Sequence, residues 1–308
     1  MTPLTIRLFG RFRASYQDRS MHAFEAAKVQ ELLCYLLLNR KPHARESLAT
    51  VLWPEASTAH AKKYLRQTLW QLQVALATNL GSFGHRVALV DADWIQLNPA
   101  LNLWLDVHVF EQAFALMNEG RTHLNDTTAQ IVHEAAGLYE GDLLEGYYQD
   151  WCLVERERLQ TMYLAMLDQL IRYSQSQRKY DRGLSYAATA LRYEPASERT
   201  HRQIMRLYYY AGDRSAALRQ YDRCVASLKS EFGVQPTGRT AELLKHIQAD
   251  DVELPSAPPA DLAESEVPDT LLPEVLKHLK EFRATLSAVQ RKVRRDIRNV
   301  EGALTGRQ

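Results

Sequence analysis

The stretch RESLATVLWPEASTAHAKKYLRQTLWQLQVALA, residues 45–77, holds two helical patterns separated by a stop. Leu48, Val51 and Leu52 recur at helical spacing and predict a short helix over residues 45–53. Pro54 ends it, because its ring removes a backbone donor and clashes with the preceding turn. After the loop Glu55-Ala56-Ser57-Thr58, the residues Ala61, Leu65, Leu69, Leu72 and Leu76 form one apolar stripe. They predict a longer helix over residues 59–77. Two helices of unequal length around a tight turn read as a helix-turn-helix, whose second helix presents its polar face to DNA.

The flanks complete the unit. Upstream, Leu4, Ile6 and Leu8 alternate with Thr5, Arg7 and Phe9, so the first residues read as a strand with Phe9 on the polar side. Gly10 breaks the run, and Phe12–Tyr16 can pair back as a second strand. Val29, Leu32, Leu33, Leu36 and Leu37 then give a buried helix of about 14 residues. Downstream, residues 87–90 and 94–97, joined by Asp91-Ala92-Asp93, read as a hairpin. Strands, three helices and a closing hairpin are the order of a winged helix-turn-helix of the response-regulator type.

Further along, the pattern is almost wholly helical over residues 106–248. Asp181-Arg182-Gly183-Leu184 is echoed by Asp213-Arg214-Ser215-Ala216-Ala217-Leu218, an offset of 32 that lies near the period of roughly 34 residues in tetratricopeptide repeats. Residues 249–269 carry 7 acidic and no basic residues, with four prolines, and read as a flexible linker. Beyond it, Leu272, Leu279, Leu286, Val293 and Val300 recur every seven residues, with Val275, Phe282 and Val289 between them. That pattern predicts a heptad helix over residues 270–308, suited to self-association or to docking on a partner. Its cluster Arg291-Lys292-Val293-Arg294-Arg295 reads either as a solvated face or as a contact to DNA or polymerase. The expected division is therefore 1–105, a DNA-binding winged helix; 106–248, an all-α tetratricopeptide-like domain; 249–269, the acidic linker; and 270–308, the C-terminal helix. The fold class is mainly α with a small β component.

Charge follows the same division. The net charge of +1 resolves into 12 basic against 8 acidic residues over 1–110, 17 against 18 over 111–248, none against 7 over 249–269, and 9 against 4 over 270–308. Basic ends are compatible with nucleic-acid binding. No run of about 18 apolar residues marks a membrane span, and the N-terminus lacks the pattern of a secretory signal. Cys34, Cys152 and Cys224 are odd in number and far apart, which reads as reduced thiols. The expected compartment is the cytoplasm, on the nucleoid. No glycine-rich phosphate loop, serine elbow or metal-ligand spacing of His with Cys occurs, so no enzyme, cofactor or metal is expected.

Several ordered motifs carry a resemblance over roughly residues 4–247. They are Tyr139-Glu140-Gly141-Asp142-Leu143-Leu144, then Asp150-Trp151, then Glu155-Arg156-Glu157-Arg158-Leu159. Further on come Ala217-Leu218-Arg219-Gln220-Tyr221-Asp222-Arg223 and the run from Leu228 to Thr237. In the first half they are joined by Leu52-Trp53-Pro54-Glu55 and the run from Lys63 to Gln73. Together they resemble the Streptomyces antibiotic regulatory protein (SARP) family and its wider relatives, in which a winged helix precedes a bacterial transcriptional activator domain (BTAD). The chain departs from the family at Gln73, where an arginine is usual, and at Trp70, where a smaller residue is. The resemblance implies an activator whose helical domain mediates homodimerisation or contact with RNA polymerase. A small-molecule or nucleotide effector on that domain is a compatible addition.

With Leu65 centred on the buried face, Lys63, Arg66, Gln67, Trp70 and Val74 fall opposite, flanked by Lys62 and Gln73. Arg and Gln suit bidentate contacts to base edges, while Lys neutralises phosphate. Arg66 and Gln67 are therefore assigned to bases, and Lys62 and Lys63 to phosphates. Trp70 either touches a thymine methyl or sugar, or packs on a neighbouring domain. Arg86 is placed to reach a phosphate from the wing, whose acidic tip positions rather than reads. Double-stranded DNA is the expected partner, and no membrane is. The rival reading is a protein-binding adaptor whose winged helix has lost its DNA function.

Overall fold

The computed structural model describes residues 3–17, 19–21, 26–80, 84, 87–119 and 124–252. Among these are seven strands and ten helices. The first half runs β1 (Leu4–Arg7), β2 (Arg13–Tyr16), β3 (Arg19–Ser20), α1 (Ala27–Leu38), β4 (His43–Ala44), α2 (Arg45–Leu52), α3 (Thr58–Leu80), β5 (Ala88–Val90), β6 (Trp94–Leu97) and β7 (Leu103–Leu105). The second half is helical: α4 (Asp106–Glu119), α5 (Asp126–Ala136), α6 (Asp150–Ser176), α7 (Tyr180–Tyr193), α8 (Glu198–Tyr210), α9 (Arg214–Phe232) and α10 (Gly238–Ala249). The expected linker, apart from residues 249–252, and the heptad helix of 270–308 lie outside the described residues.

Two small sheets frame the winged helix, in the orders β3-β2-β1-β7 and β4-β6-β5. The first contains a strand that the alternation pattern did not reveal. β7 lies parallel to β1, with Leu4 opposite Leu103 and Ile6 opposite Leu105. Three residues are too few to show a period, so only the partner strand identifies it. Leu4, Ile6 and Leu8 are buried as expected, but Phe9 is buried with them rather than facing out. The strand ends at Arg7, and the left-handed Gly10 (φ 75°) turns the chain, so alternation stops one residue before Phe9. Phe9 then meets Phe110 edge-on at 5.2 Å and Tyr139 at 4.8 Å. In α2, Ala49 takes the buried place given to Val51, which is half-buried.

The core does not stop at residue 105. A single apolar cluster runs from Leu4 through α1, α3 and α4 to Leu170 and Ala190, and the expected 105/106 division passes through it. Polar bonds reinforce the junction. The buried Asp106 carboxylate accepts the N–H groups of Leu8 (2.8 Å), Phe9 (3.0 Å) and Val107 (2.8 Å). Gly10 N–H donates to Asp142 O, and Leu144 N–H donates to Leu8 O, each at 2.9 Å. Arg156 holds this loop by donating to the carbonyls of Leu143, Leu144 and Tyr147 at 2.9–3.0 Å. Glu31, buried on α1, takes Lys28 at 2.8 Å and faces the Trp151 indole N–H at 3.4 Å. Trp151 also packs edge-on against Tyr35 at 5.3 Å. The motif of residues 139–156 is thus the joint between the halves.

In the helical half, α7 and α9 start 34 residues apart, at Tyr180 and Arg214. The echoed aspartates stand 32 apart because Asp213 caps α9 from outside, accepting from Ala216 N–H at 2.8 Å, whereas Asp181 lies inside the first turn of α7. Gly183 permits the close stacking of α7 on α6 and α8, since a Cβ there would lie 3.1 Å from the Leu207 side chain and 3.3 Å from Ser174 Cβ.

Candidate nucleic-acid interface

α3 begins where Pro54 and the following turn release the chain, and the Ser57 carbonyl accepts its first helical bond from Ala61 N–H at 2.8 Å. Ala61, Leu65, Leu69, Leu72, Leu76 and Leu80 are buried along one face, with Thr68 beside them. The helix is therefore clamped on one side, and the opposite side is free to meet a partner. Lys62, Lys63, Arg66, Gln67, Trp70 and Gln73 are all exposed there. Trp70 keeps 63% of its surface accessible. Arg86 lies outside the described residues.

Lys62 already has a partner within the protein. Its ammonium is engaged by the Glu46 carboxylate of α2, a pair that spans the two helices of the motif. The hydrogen bond from Lys62, reinforced by its charge, pulls the Glu46 carboxyl below its ordinary pKa. Phosphate would have to compete with Glu46 for this lysine. Nothing in the spacing of either helix predicts the pairing, because it depends on the crossing of α2 over α3.

The hairpin is fastened to the motif through β4. His43 pairs with Ile95 and Ala44 with Trp94, so the start of α2 is stitched to β6. Arg45 adds a bond from its N–H to Asp93 O at 3.0 Å and one from its guanidinium to Asp91 O at 3.1 Å. This arginine, which the sequence reading did not single out, steadies the wing. An open depression of about 950 Å³ lies between Gln73 and the hairpin residues Leu89, Val90 and Trp94. Val74 on α3 and Trp94 on β6 (51% accessible) add exposed apolar surface to the exposed basic residues of α3.

Among the described residues no helix is long and apolar enough to cross a membrane, and no three His, Cys, Asp or Glu side chains are grouped to hold a metal. All three cysteines are buried and unpaired.

The family model for the bacterial transcriptional activator domain matches residues 105–248, from the last residue of β7 to the last turn of α10. Residues 105–248 are a bacterial transcriptional activator domain. Behind a winged helix, that domain gives the chain the domain order of SARP-like regulators. The fold of the chain is similar to that of Mycobacterium tuberculosis EmbR, solved in complex with a low-affinity phosphopeptide. The two share 16% identity with a TM-score of 0.59, over 82% of this chain and 67% of EmbR. No curated protein matches the sequence of this SARP-like chain.

Proposed function

We propose that this SARP-like regulator is a sequence-specific DNA-binding transcription factor of the cytoplasm, acting as an activator on the nucleoid. The observation that carries the reading is the two-sidedness of α3, buried along one stripe and exposed along the other, in a winged helix ahead of an activator domain. Arg66 and Gln67 read base edges in the major groove, and Lys63 neutralises phosphate. Lys62 joins it once Glu46 is displaced, Gln73 and Trp70 extend the contact toward the C-terminal half of α3, and Arg86 reaches a phosphate from the wing. The activator domain makes the homodimer or the contact with RNA polymerase.

A mobility-shift titration against the chain's own upstream DNA, with excess competitor and at several salt concentrations, tests this. A discrete complex is expected. Lys63→Ala with Arg66→Ala should weaken it by about tenfold or more and lower the salt slope by about 1, the share of the Lys63 phosphate contact, with the melting temperature unchanged. Equal binding by the double variant would overturn the assignment. A second reading, the protein-binding adaptor, is favoured by the exposed apolar residues Trp70, Val74 and Trp94. In that case Trp70→Ala abolishes partner capture while Lys63→Ala and Arg66→Ala leave it intact.

A further inference from the structure

The activator domain carries a second polar site, far from α3 in sequence. One face of α8 presents Arg199, Arg202 and Arg206, spaced at helical intervals. Arg172 of α6 and Arg239 of α10 stand on either side, and the five guanidiniums line one groove of about 570 Å³. That volume falls within the range of roughly 300–1,000 Å³ typical of small-ligand sites.

Not all of this charge is neutralised. Asp168 binds Arg199 at 2.6 Å and Arg172 at 3.1 Å, and Glu198 lies 3.6 Å from Arg202, which also donates to Thr240. Glu242 is the one acidic residue lining the groove itself. Five arginines against three carboxylates leave two positive charges. Among the described residues, neither Arg206 nor Arg239 has a carboxylate within ion-pair distance. A phosphate monoester, at about −1.5 to −2 near pH 7, matches that surplus.

A second observation points to the rest of the ligand. Gln203, only 8% exposed, shares the groove lining and donates its amide to Asp168 at 2.9 Å. Its Oε1 has no partner among the described residues. A buried acceptor left unmade is costly, and a turn of the Gln203 side chain toward the groove would let a donor on a bound molecule satisfy it. Tyr210, at the end of the same α8 face, offers an aromatic surface beside it.

We infer that this groove binds an organic phosphate monoester of nucleotide size, its phosphate on Arg206 and Arg239 and an N–H or O–H donor of its body directed to Gln203. The inference does not depend on whether α3 binds DNA. Calorimetric titration of the full chain with adenosine 5′-monophosphate, adenosine and inorganic phosphate at low ionic strength tests it directly. The nucleotide should saturate one site with Kd below about 1 mM, and adenosine should give no binding. Inorganic phosphate should bind at least about tenfold more weakly than the nucleotide. Arg239→Gln should weaken the nucleotide about tenfold and the Arg206→Gln/Arg239→Gln pair about a hundredfold, with melting temperatures unchanged. Arg219→Gln, on the exposed surface of α9, should have no effect. No saturable binding of the nucleotide, or equal losses from Arg219→Gln, would overturn the site. Inorganic phosphate binding as tightly as the nucleotide would overturn the role given to the organic body and Gln203.

Discussion

His201 is the residue most exposed to pH through being hidden from solvent. At 2% accessibility its Nε2 lies 2.8 Å from Pro195 O, and its Nδ1 lies 2.7 Å from the Gln220 amide nitrogen. With a carbonyl facing one ring nitrogen and an amide donor the other, the fitting state is neutral, with the proton on Nε2. Burial, the largest cause, lowers its pKa, and Arg223 lowers it further, while the Pro195 carbonyl and Glu198 act in the other direction. In the unfolded chain the ring titrates near about 6.5. Between the lowered folded value and that point the unfolded state binds more protons, so stability is intact above about pH 6.5 and declines as the pH falls. Melting curves from about pH 7.5 down to 5.5 should show this decline, and His201→Gln should flatten it. An unaltered slope in that variant would assign the effect to other groups, such as His108 or His133, whose pKa values burial also lowers.

At the scale of single elements, the pair between α2 and α3 carries the clearest expectation. If Lys62 is a phosphate ligand held back by Glu46, then Glu46→Gln should tighten DNA binding by about three- to tenfold at low salt. The gain should fade as salt rises. An unchanged affinity would remove Lys62 from the contact set. The elements themselves differ in how plainly the sequence announces them. α3 is readable because five apolar residues at intervals of three and four leave no other period, and the same holds for α1. β7 is not, because Leu103-Trp104-Leu105 becomes a strand only when β1 lies beside it. Extending the alternation of Leu4, Ile6 and Leu8 puts Phe9 outward, but the strand itself ends at Arg7. The outward residues of α3 follow from one helix's geometry and were accessible to reasoning. Partners such as Glu46 for Lys62, and the arginine groove assembled from α6, α8 and α10, depend on how helices cross, which no local period encodes.

For the molecule as a whole, the decisive feature is the core shared between the winged helix and the activator domain. Asp106 is its polar centre, so Asp106→Asn should act on both halves together. The amide retains one acceptor and turns a donor toward buried N–H groups, a loss of about 3 kcal/mol. Calorimetry should show the main transition lowered by roughly 6–12 °C and still single. A separate early melting of the winged helix would mean that the halves are thermodynamically independent. The sheet order has one further consequence. Because β1 is bonded on one side to β2 and on the other to β7, which leads directly into α4, the chain has no swivel between its winged helix and its helical body. Two copies joined through their bodies would hold their heads at a set separation, like the jaws of a caliper locked at one opening. If the winged helices bind DNA as proposed, such a pair would measure distance along the double helix as well as spelling, and inserting about half a turn, roughly 5 base pairs, between its two sites would defeat it even with every base letter intact.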